Sequence, residues 1–395
     1  MNKKHNRLIV IGDGIVYRYG NNYYVSGSSQ LDFYECFDGI DEVIIWSRIY
    51  DISETDIPKY SMYDTSTLSK QVTFCGIFNQ PSGLKGYIIT MYERIKKLNK
   101  LFCKPALVIC SPISVSQWIM WLLFRKRDLI FISRVIGDPD GIPDIKKSKA
   151  IWKVIVCFVK RLQVNYLAKS KLQTWVSSEL EKKYRNPYVP SVIFHDGLIY
   201  DRQIVTEIKP RTKPELQLIF VGRLSPEKGI NDLIDAVNML STSRIKLKII
   251  GQGVEQENIR RKINEYNLED KIILLGQKKW GQELFSEMRT SDILILPSYN
   301  EGLGMVLLEA MSNGITVIGS RVGGIPDVIN PGLNGLLFTP GNVAELADAI
   351  KSLYDNEELR SKLCRNALIT AHQNTREMQL ERFHEAYMKN VYNYL

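Results

Sequence analysis

Short apolar runs alternate with longer amphipathic stretches through most of this chain, a pattern that predicts parallel strands separated by helices. In the first half, the predicted strands are residues 8–11, 42–46, 106–110, 129–136, 176–178 and 189–194, with a helix over 87–101. The first strand runs into Gly12, Asp13 and Gly14, which predict a glycine turn. This turn is either a tight exit from the strand or a loop that faces a substrate.

The second half repeats the series of strand, turn and helix. Its predicted strands are residues 216–221, 246–250, 271–275, 293–296, 316–319 and 335–338. A polar stretch with two prolines predicts a linker over 204–214. We therefore predict an α/β protein with domains at 1–203 and 215–374, and a helical segment at 375–395 that can pack back on the first domain. Two such domains would hold a ligand between the carboxyl ends of facing sheets.

Length and composition agree with two globular domains. The chain has 395 residues, 45% of them hydrophobic and 24% charged. Its apolar runs fall short of the roughly 18 residues that a membrane span needs, and its start lacks the apolar segment of a signal peptide. Its six cysteines are scattered without a C-x-x-C pair. That spacing favours a reduced, cytoplasmic protein over a disulfide framework or a zinc site.

The net charge of +9 belongs to one part of the chain. Residues 1–200 hold 28 Lys and Arg against 18 Asp and Glu, whereas residues 201–395 hold 24 against 25. The excess is concentrated in residues 101–200, with 16 basic against 7 acidic side chains. A basic sector of this kind suits an anionic surface such as membrane lipid, a lipid diphosphate or nucleic acid.

Two segments of this basic sector read as amphipathic helices. Residues 116–124 are apolar and aromatic and precede three basic residues, and residues 146–171 mix apolar with basic side chains. Such helices can lie on an anionic membrane surface. The alternative is that their apolar faces are ordinary core and their charges a solvated rim.

The loop after the first strand of the second half contains two cations. Gly222 permits close backbone approach, and Arg223 and Lys228 follow it. Arginine offers a planar fork for phosphate oxygens and lysine a point charge. The loop therefore predicts a phosphate site, with a salt-bridged surface turn as the alternative.

A second glycine loop follows the strand at 293–296 and contains Glu301, with Glu309 in the helix predicted over 305–312. A strand, a glycine loop and a helix together point backbone N–H groups at an anion. Glu301 could accept hydrogen bonds from sugar hydroxyls. Glu309 lies in an apolar run, where a carboxylate is costly unless it is satisfied. It would bind a diol such as ribose, or be satisfied by the backbone or a basic neighbour.

These motifs occur in a fixed order at 222–229, 297–311, 323–327 and 334–335, and together they resemble the retaining glycosyltransferases of family four, which have the GT-B fold. Glu301 and Glu309 form that family's E-x7-E motif. The resemblance is dense over about 217–355 and rests on architecture elsewhere. It implies two Rossmann-like domains facing across a cleft, and sugar transfer with retention from a nucleoside-diphosphate sugar, the UDP-sugar foremost, without a cofactor or metal ion.

Carried over by position, the resemblance implies a set of site residues. The implied donor-binding residues are Gly14, Gly222, Arg223, Lys228, Gly251, Gly276, Glu301, Gly302, Leu303, Gly304, Met305, Val306 and Glu309. Arg223 and Lys228 would bind the diphosphate and Glu309 the ribose, and Arg223, Lys228 and Glu301 would take part in catalysis. Fixed cations and helix N–H groups aimed at the leaving diphosphate agree with this chemistry.

One position departs from the family pattern. Many members have a histidine in a loop of the first domain, where this chain has Gly137, Asp138, Pro139 and Asp140. Asp138 would take an acid–base role there, or the segment is a plain turn. Asp138 and Asp140 also match the D-x-D metal motif of the GT-A fold, which the second-half motifs contradict.

We therefore predict a cytoplasmic glycosyltransferase, in contact with anionic membrane, acting on a glycan or lipid-linked glycan in surface polysaccharide synthesis. Two rivals are a GT-B UDP-sugar epimerase and a nucleic-acid-binding module. The second leaves the phosphate loop and both glutamates without a role, so we expect no nucleic acid as partner.

Overall fold

The computed structural model describes residues 4–25, 31–59, 61–62, 64–79, 83–110, 126–136, 167–197, 199–208, 215–240 and 244–395. They fall into two compact units. The first contains residues up to Val176 together with Leu180–Asp196 and Leu380–Leu395. The second contains Ser177–Glu179 and Gly197–Gln379.

Parallel strands form the centre of the first unit. The strands of this unit are β1 (Arg7–Tyr19), β2 (Asn22–Val25), β3 (Glu42–Asp51), β4 (Ser61–Met62), β5 (Gln71–Phe78), β6 (Ala106–Cys110), β7 (Leu129–Val135), β8 (Leu172–Trp175) and β9 (Ser191–Ile193). The parallel neighbours run in the order β5, β3, β1, β6, β7, β8 and β9. The buried Leu8, Ile9, Leu107 and Val108 show why β1 and β6 read as continuous apolar runs.

Strand β1 does not end at the glycines, as the sequence had predicted. It continues through Gly14 to Tyr19, with a shift of register against β3 between Ile11 and Ile15. Its outer part pairs with the antiparallel β2 around a turn at Gly20. The predicted glycine turn is therefore wrong, because the apolar and aromatic residues that follow Gly14 extend the sheet instead.

A second prediction in this unit is also wrong. Residues 176–178 do not form a strand; β8 ends at Trp175, and helix α2 (Ser178–Tyr184) begins within the predicted segment. Trp175 is fully buried at the end of the strand, and the helix begins three residues later at Ser178. Helix α1 (Gly83–Leu101) begins four residues before the predicted 87–101.

An aromatic cluster joins the beginning of the first unit to the end of the chain. Phe33 and Phe383 have ring centroids 4.8 Å apart, and Phe37 and Tyr387 lie 5.1 Å apart. Burial raises the pKa of the Tyr387 phenol. The segment Leu380–Leu395, which includes most of the last helix, thus completes the core of the unit in which the chain began.

The second unit contains a parallel sheet of doubly wound topology. Its strands are β10 (Leu216–Val221), β11 (Ile245–Ile250), β12 (Ile272–Gly276), β13 (Ile293–Leu296), β14 (Thr316–Ser320) and β15 (Leu336–Phe338). Their order is β12, β11, β10, β13, β14 and β15. Strands β11 and β12 are added on one side of β10, and β13, β14 and β15 on the other, so the strand order reverses between β10 and β13. Ligands of such sheets bind at the carboxyl ends of the strands beside this switch point.

Helices cover this second sheet. They are α3 (Ile230–Met239), α4 (Gln256–Glu265), α5 (Gln282–Arg289), α6 (Met305–Ser312), α7 (Ile325–Val328), α8 (Val343–Asp355) and α9 (Glu357–Gln373), followed by α10 (Arg376–Asn390), which continues into the first unit. Short 3-10 helices occur at Leu31–Cys36, Glu54–Lys59, Thr65–Thr67, Asp201–Gln203, Pro226–Lys228 and Tyr392–Tyr394. In the described ranges no helix has the length and apolar character to cross a bilayer.

Candidate functional site

The loops after β10 and β13 meet at the switch point of the second sheet. Gly229 has a φ of +64°, and a Cβ there would lie 2.0 Å from the carbonyl oxygen of Pro297. The backbone N–H of Tyr299 donates to the carbonyl of Glu227 at 2.8 Å. Glycine is required at 229 because any side chain would push the two loops apart. This contact fixes the distance between the predicted phosphate loop and the glutamate loop.

Lys228 and Glu301 form an ion pair at this junction. Lys228 Nζ lies 2.6 Å from Glu301 Oε2, and the side chains are only 16% and 17% exposed. Ser298 Oγ donates to the same oxygen at 3.3 Å. The structure therefore brings together two of the predicted site residues. The lysine ammonium already has a carboxylate partner, so a bound anion would share Lys228 with Glu301.

Arg223 occupies a more open position in the same loop. Its side chain is 71% exposed, with Nη2 3.7 Å from Glu227 Oε1. The Ser225 hydroxyl donates to that carboxylate at 2.6 Å, and this bond lowers the pKa of Glu227. Because Glu227 is already held by Ser225, the guanidinium is left free to turn toward an anion at small cost.

Tyr299 is a residue of this region that the sequence reading missed. Its hydroxyl donates to Asp232 Oδ2 at 2.6 Å, which together with partial burial raises the pKa of Tyr299 to about 12. Asp232 lies in the first turn of α3. The bond ties the glutamate loop to the helix that follows the phosphate loop. A tyrosine beside a glycine loop was the one feature of the sequence that could have indicated it.

Helix α6 begins directly after the glutamate loop. Gly304 adopts a left-handed conformation at its N-cap and Met305 is its first residue. The first N–H groups of a helix lack intrahelical partners and carry partial positive charge. Leu303 is buried, whereas Gly302, Met305 and Val306 are half-buried. The predicted backbone segment 302–306 thus lies at a helix N-terminus beside the Lys228–Glu301 pair.

Glu309 lies in the second turn of α6, as predicted. It is half-buried, and its Oε1 accepts a hydrogen bond from Trp280 Nε1 at 3.0 Å. Burial raises the pKa of the Glu309 carboxyl, and the indole bond acts in the opposite direction. The sequence reading did not include Trp280, which follows β12 in a polar loop.

The remaining predicted residues of the second unit lie at the same edge of the sheet. A Cβ on Gly251 would lie 1.8 Å from the carbonyl oxygen of Gly222, so these two loops are also in contact. The N–H of Gly251 donates to the carbonyl of Gly276, at 2.8 Å. The structure therefore connects Gly222, Gly251 and Gly276 in a row that extends from the switch point to the end of β12.

The predicted residues of the first half give a different result. Gly14 lies inside β1 and not in a loop. Asp138 and Asp140 fall outside the described residues, as do 116–124 and most of 146–171. Within the ranges that are described, no cluster of three or more His, Cys, Asp or Glu side chains could hold a metal ion.

The assembled groups suit a ligand with a diphosphate and several hydroxyls. Two cations in the loop after β10 and a helix N-terminus after β13 favour negative charge at this edge of the sheet. The carboxylates of Glu301 and Glu309, by contrast, are hydrogen-bond acceptors that suit hydroxyl groups. Cations and helix N–H groups that suit phosphates, together with carboxylates that suit hydroxyl groups, match the chemistry of a nucleoside-diphosphate sugar.

Residues 201–369 match the family model described as Glycosyl transferases group 1. This range includes the loops after β10 and β13 and helix α6. It also includes residues 217–355, over which the sequence motifs had indicated a glycosyltransferase. The similarity to group 1 glycosyltransferases therefore covers the second unit.

Curated relatives align with this same part of the chain. An uncharacterized glycosyltransferase of Methanocaldococcus jannaschii is 39% identical over 148 residues, which cover 38% of this chain and 41% of that protein. The N-acetyl-alpha-D-glucosaminyl L-malate synthase of Bacillus anthracis is 33% identical over 174 residues, covering 43% and 45%. The chain thus spans less than half the length of the curated relatives it matches.

Solved structures extend the likeness to the whole chain. The crystal structure of Anabaena HepE in complex with UDP superimposes with a TM-score of 0.68 at 17% identity, covering 97% of this chain and 100% of that one. At this level of identity the comparison concerns the fold alone. It confirms the predicted α/β class with the GT-B type of fold.

Proposed function

We propose that this protein is a retaining glycosyltransferase that moves a sugar from a nucleoside-diphosphate sugar, a UDP-sugar foremost, to a hydroxyl group of a glycan or lipid-linked glycan. The observation that carries the proposal is the meeting of Lys228, Glu301 and the start of α6 at the switch point of the second sheet. The match of residues 201–369 to group 1 glycosyltransferases supports it. The named relatives, described as a glycosyltransferase and a synthase, give no support to the epimerase.

In this proposal each group has a defined task. The bond between the anomeric carbon and the diphosphate oxygen breaks, the acceptor oxygen bonds to that carbon, and the acceptor proton passes to the proposed acid–base group, Asp138. Arg223, Lys228 and the N–H groups of 302–306 stabilise the charge that grows on the leaving diphosphate. Glu301 accepts hydrogen bonds from the donor sugar, and Glu309 from the ribose. No step calls for a divalent ion.

The donor half of the enzyme is assigned to residues 215–374 and the acceptor half to residues 1–203. The basic excess of residues 101–200 supports an anionic acceptor or membrane surface, and Asp138 is the proposed acid–base group on that side. We propose a role in surface polysaccharide synthesis of the family-four type at the cytoplasmic face of a membrane. Co-sedimentation with liposomes tests the proposed contact with an anionic membrane. Binding without preference for anionic lipid would reject the membrane contact.

A thermal-shift screen tests the donor site. We expect a rise in Tm with at least one of UDP, GDP and ADP or their glucose conjugates, and loss of this shift in Arg223→Ala and Glu309→Ala. Lys351→Ala, which changes an exposed pair on α8, is the control and should keep the shift. Absence of any shift in the wild type would reject the donor-site assignment. The anomeric configuration of the transferred sugar, measured by NMR, tests retention.

A further inference from the structure

The indole of Trp280, in the loop before α5, donates a hydrogen bond to the carboxylate of Glu309 on α6. Trp280 precedes α5 and Glu309 lies on α6, and Nε1 donates to Oε1 at 3.0 Å. Among the side chains that the structure describes, Trp280 is the one that donates to this carboxylate. One oxygen of Glu309 is therefore engaged by the protein, while the other has no such donor in the described part of the chain.

The position of Trp280 is fixed by a ring contact and by hydrogen bonds within its own loop. Its ring makes an edge contact with Phe285, with centroids 5.3 Å apart and an interplanar angle of 74°. Gly281, the next residue, has a φ of +100° that a residue with a side chain rarely adopts. Glu283 accepts hydrogen bonds from the backbone N–H of Lys279 at 3.0 Å and from Lys278 Nζ at 3.2 Å. The loop between β12 and α5 is thus anchored around the indole.

We propose that Trp280 is a positioning residue of the nucleotide site, whose indole N–H fixes Oε1 of Glu309 so that Oε2 accepts a hydrogen bond from a ribose hydroxyl. The inference rests on the proposed function, since it assumes that a nucleoside diphosphate binds here. A carboxylate with one oxygen fixed has a defined direction for its remaining lone pairs, which gives preference for ribose over deoxyribose. A site built around a hydroxyl discriminates strongly against the analogue that lacks it.

Calorimetric titration with paired nucleotides tests this preference. The wild type is titrated with UDP, GDP and ADP, and the tightest binder is compared with its 2′-deoxy and 3′-deoxy forms. We expect the ribonucleotide to bind at least tenfold more tightly than one deoxy form. In Trp280→Phe, which keeps a ring against Phe285 but removes the N–H, this ratio should fall to about two to three while affinity for the deoxy form stays the same.

Two further variants separate positioning from packing. Phe285→Leu removes the ring contact and keeps the N–H, so it should retain most of the discrimination. Trp46→Phe, a buried tryptophan of the first unit, is the matched control and should behave as the wild type. Wild-type discrimination in Trp280→Phe would overturn the inference while leaving the proposed function intact. If the wild type bound none of the three nucleotides, the proposed function would fail and this inference with it.

An NMR measurement tests the bond without any ligand. The indole N–H resonance of Trp280 is assigned by its absence in Trp280→Phe. It should move as the pH is lowered through the titration of Glu309, and it should lose this movement in Glu309→Gln. A resonance that shows no response to pH in the wild type would overturn the inference, whatever the calorimetry gives.

Discussion

Lys228 Nζ lies 2.6 Å from Glu301 Oε2, and this ion pair joins the loops that follow β10 and β13. Both side chains are mostly shielded from water, so each charge depends on the other for its solvation. A donor diphosphate would approach a lysine that is already neutralised. Under the proposed function, Lys228 would be shared between Glu301 and the phosphates, and occupancy of the phosphate site would then be coupled to the position of the glutamate.

The shielded pair should show strong energetic coupling. Lys228→Ala and Glu301→Ala should each lower the free energy of unfolding by about 1–3 kcal/mol, because each leaves a half-buried charge without its partner. The double variant should lose less than the sum, with a coupling of about 1–2 kcal/mol, measured by urea denaturation.

The exposed pair Lys351–Asp355 is the matched control for this cycle. Its atoms are also close, at 2.8 Å, but its side chains are 55% and 52% exposed. Solvent-exposed pairs at this spacing contribute about 0.3–0.5 kcal/mol. Equal coupling energies in the two cycles would contradict the argument that burial strengthens the site pair.

Glu309→Gln should stabilise the ligand-free protein while it weakens nucleotide binding. The amide oxygen can still accept from Trp280, but the desolvated charge is gone. We expect Tm at pH 7.5 to rise by about 1–3 °C. The nucleotide-induced shift in Tm should be lost in the same variant.

The sign of the pH dependence follows from the raised pKa of Glu309. The folded protein binds the Glu309 proton more readily than the unfolded chain does. Protonation of Glu309 therefore contributes to the free energy of unfolding, and this contribution is complete below the unfolded pKa of about 4.3. It is lost as the pH rises through the folded pKa. The Tm advantage of Glu309→Gln should therefore shrink as the pH falls from 7.5 toward 4.5, and an advantage that grew on acidification would refute this assignment.

Gly229→Ala should be strongly destabilising. The left-handed backbone costs a residue with a side chain about 1–2 kcal/mol, and the new Cβ would also displace Pro297. We expect a total loss of about 2–4 kcal/mol in urea denaturation. Gly332→Ala is the control, because Gly332 has a φ of +77° without any described atom within 4 Å of its Cβ position. It should lose only about 1 kcal/mol, and a similar loss at both positions would mean that the loops do not touch in solution.

The strands of the second sheet and the loop with Glu301 could be predicted because their information is local. Most strands there are short apolar runs that end at or just before a glycine, proline or serine, and Glu309 stands out as a charge within an apolar helix. Order along the chain placed Lys228 and Glu301 in loops after two different strands, but it did not show that these strands are neighbours, because β11 and β12 come between them in the sequence. Their 2.6 Å contact depends on the pairing of β10 with β13, which the alternation of strands and helices alone does not reveal.

The failures occurred where local pattern and tertiary pairing disagree. Gly12 and Gly14 indicated a turn, yet β1 continues because β2 and β3 offer it pairing partners. Trp280 could not be found from its neighbours, since it lies in a loop and its partner Glu309 lies 29 residues further along the chain, on α6. A tryptophan in a polar loop after a strand was the one available signal.

The aromatic cluster of the first unit has a consequence for the order of folding. The ribosome synthesises Phe33 and Phe37 near the start of the chain. Their partners Phe383 and Tyr387 follow only after the whole second unit. Domains usually fold from the N-terminus onward during synthesis. Here the aromatic core of the first unit cannot be completed until the second unit has been synthesised, so the half of the chain that is made first is the half whose core is completed last.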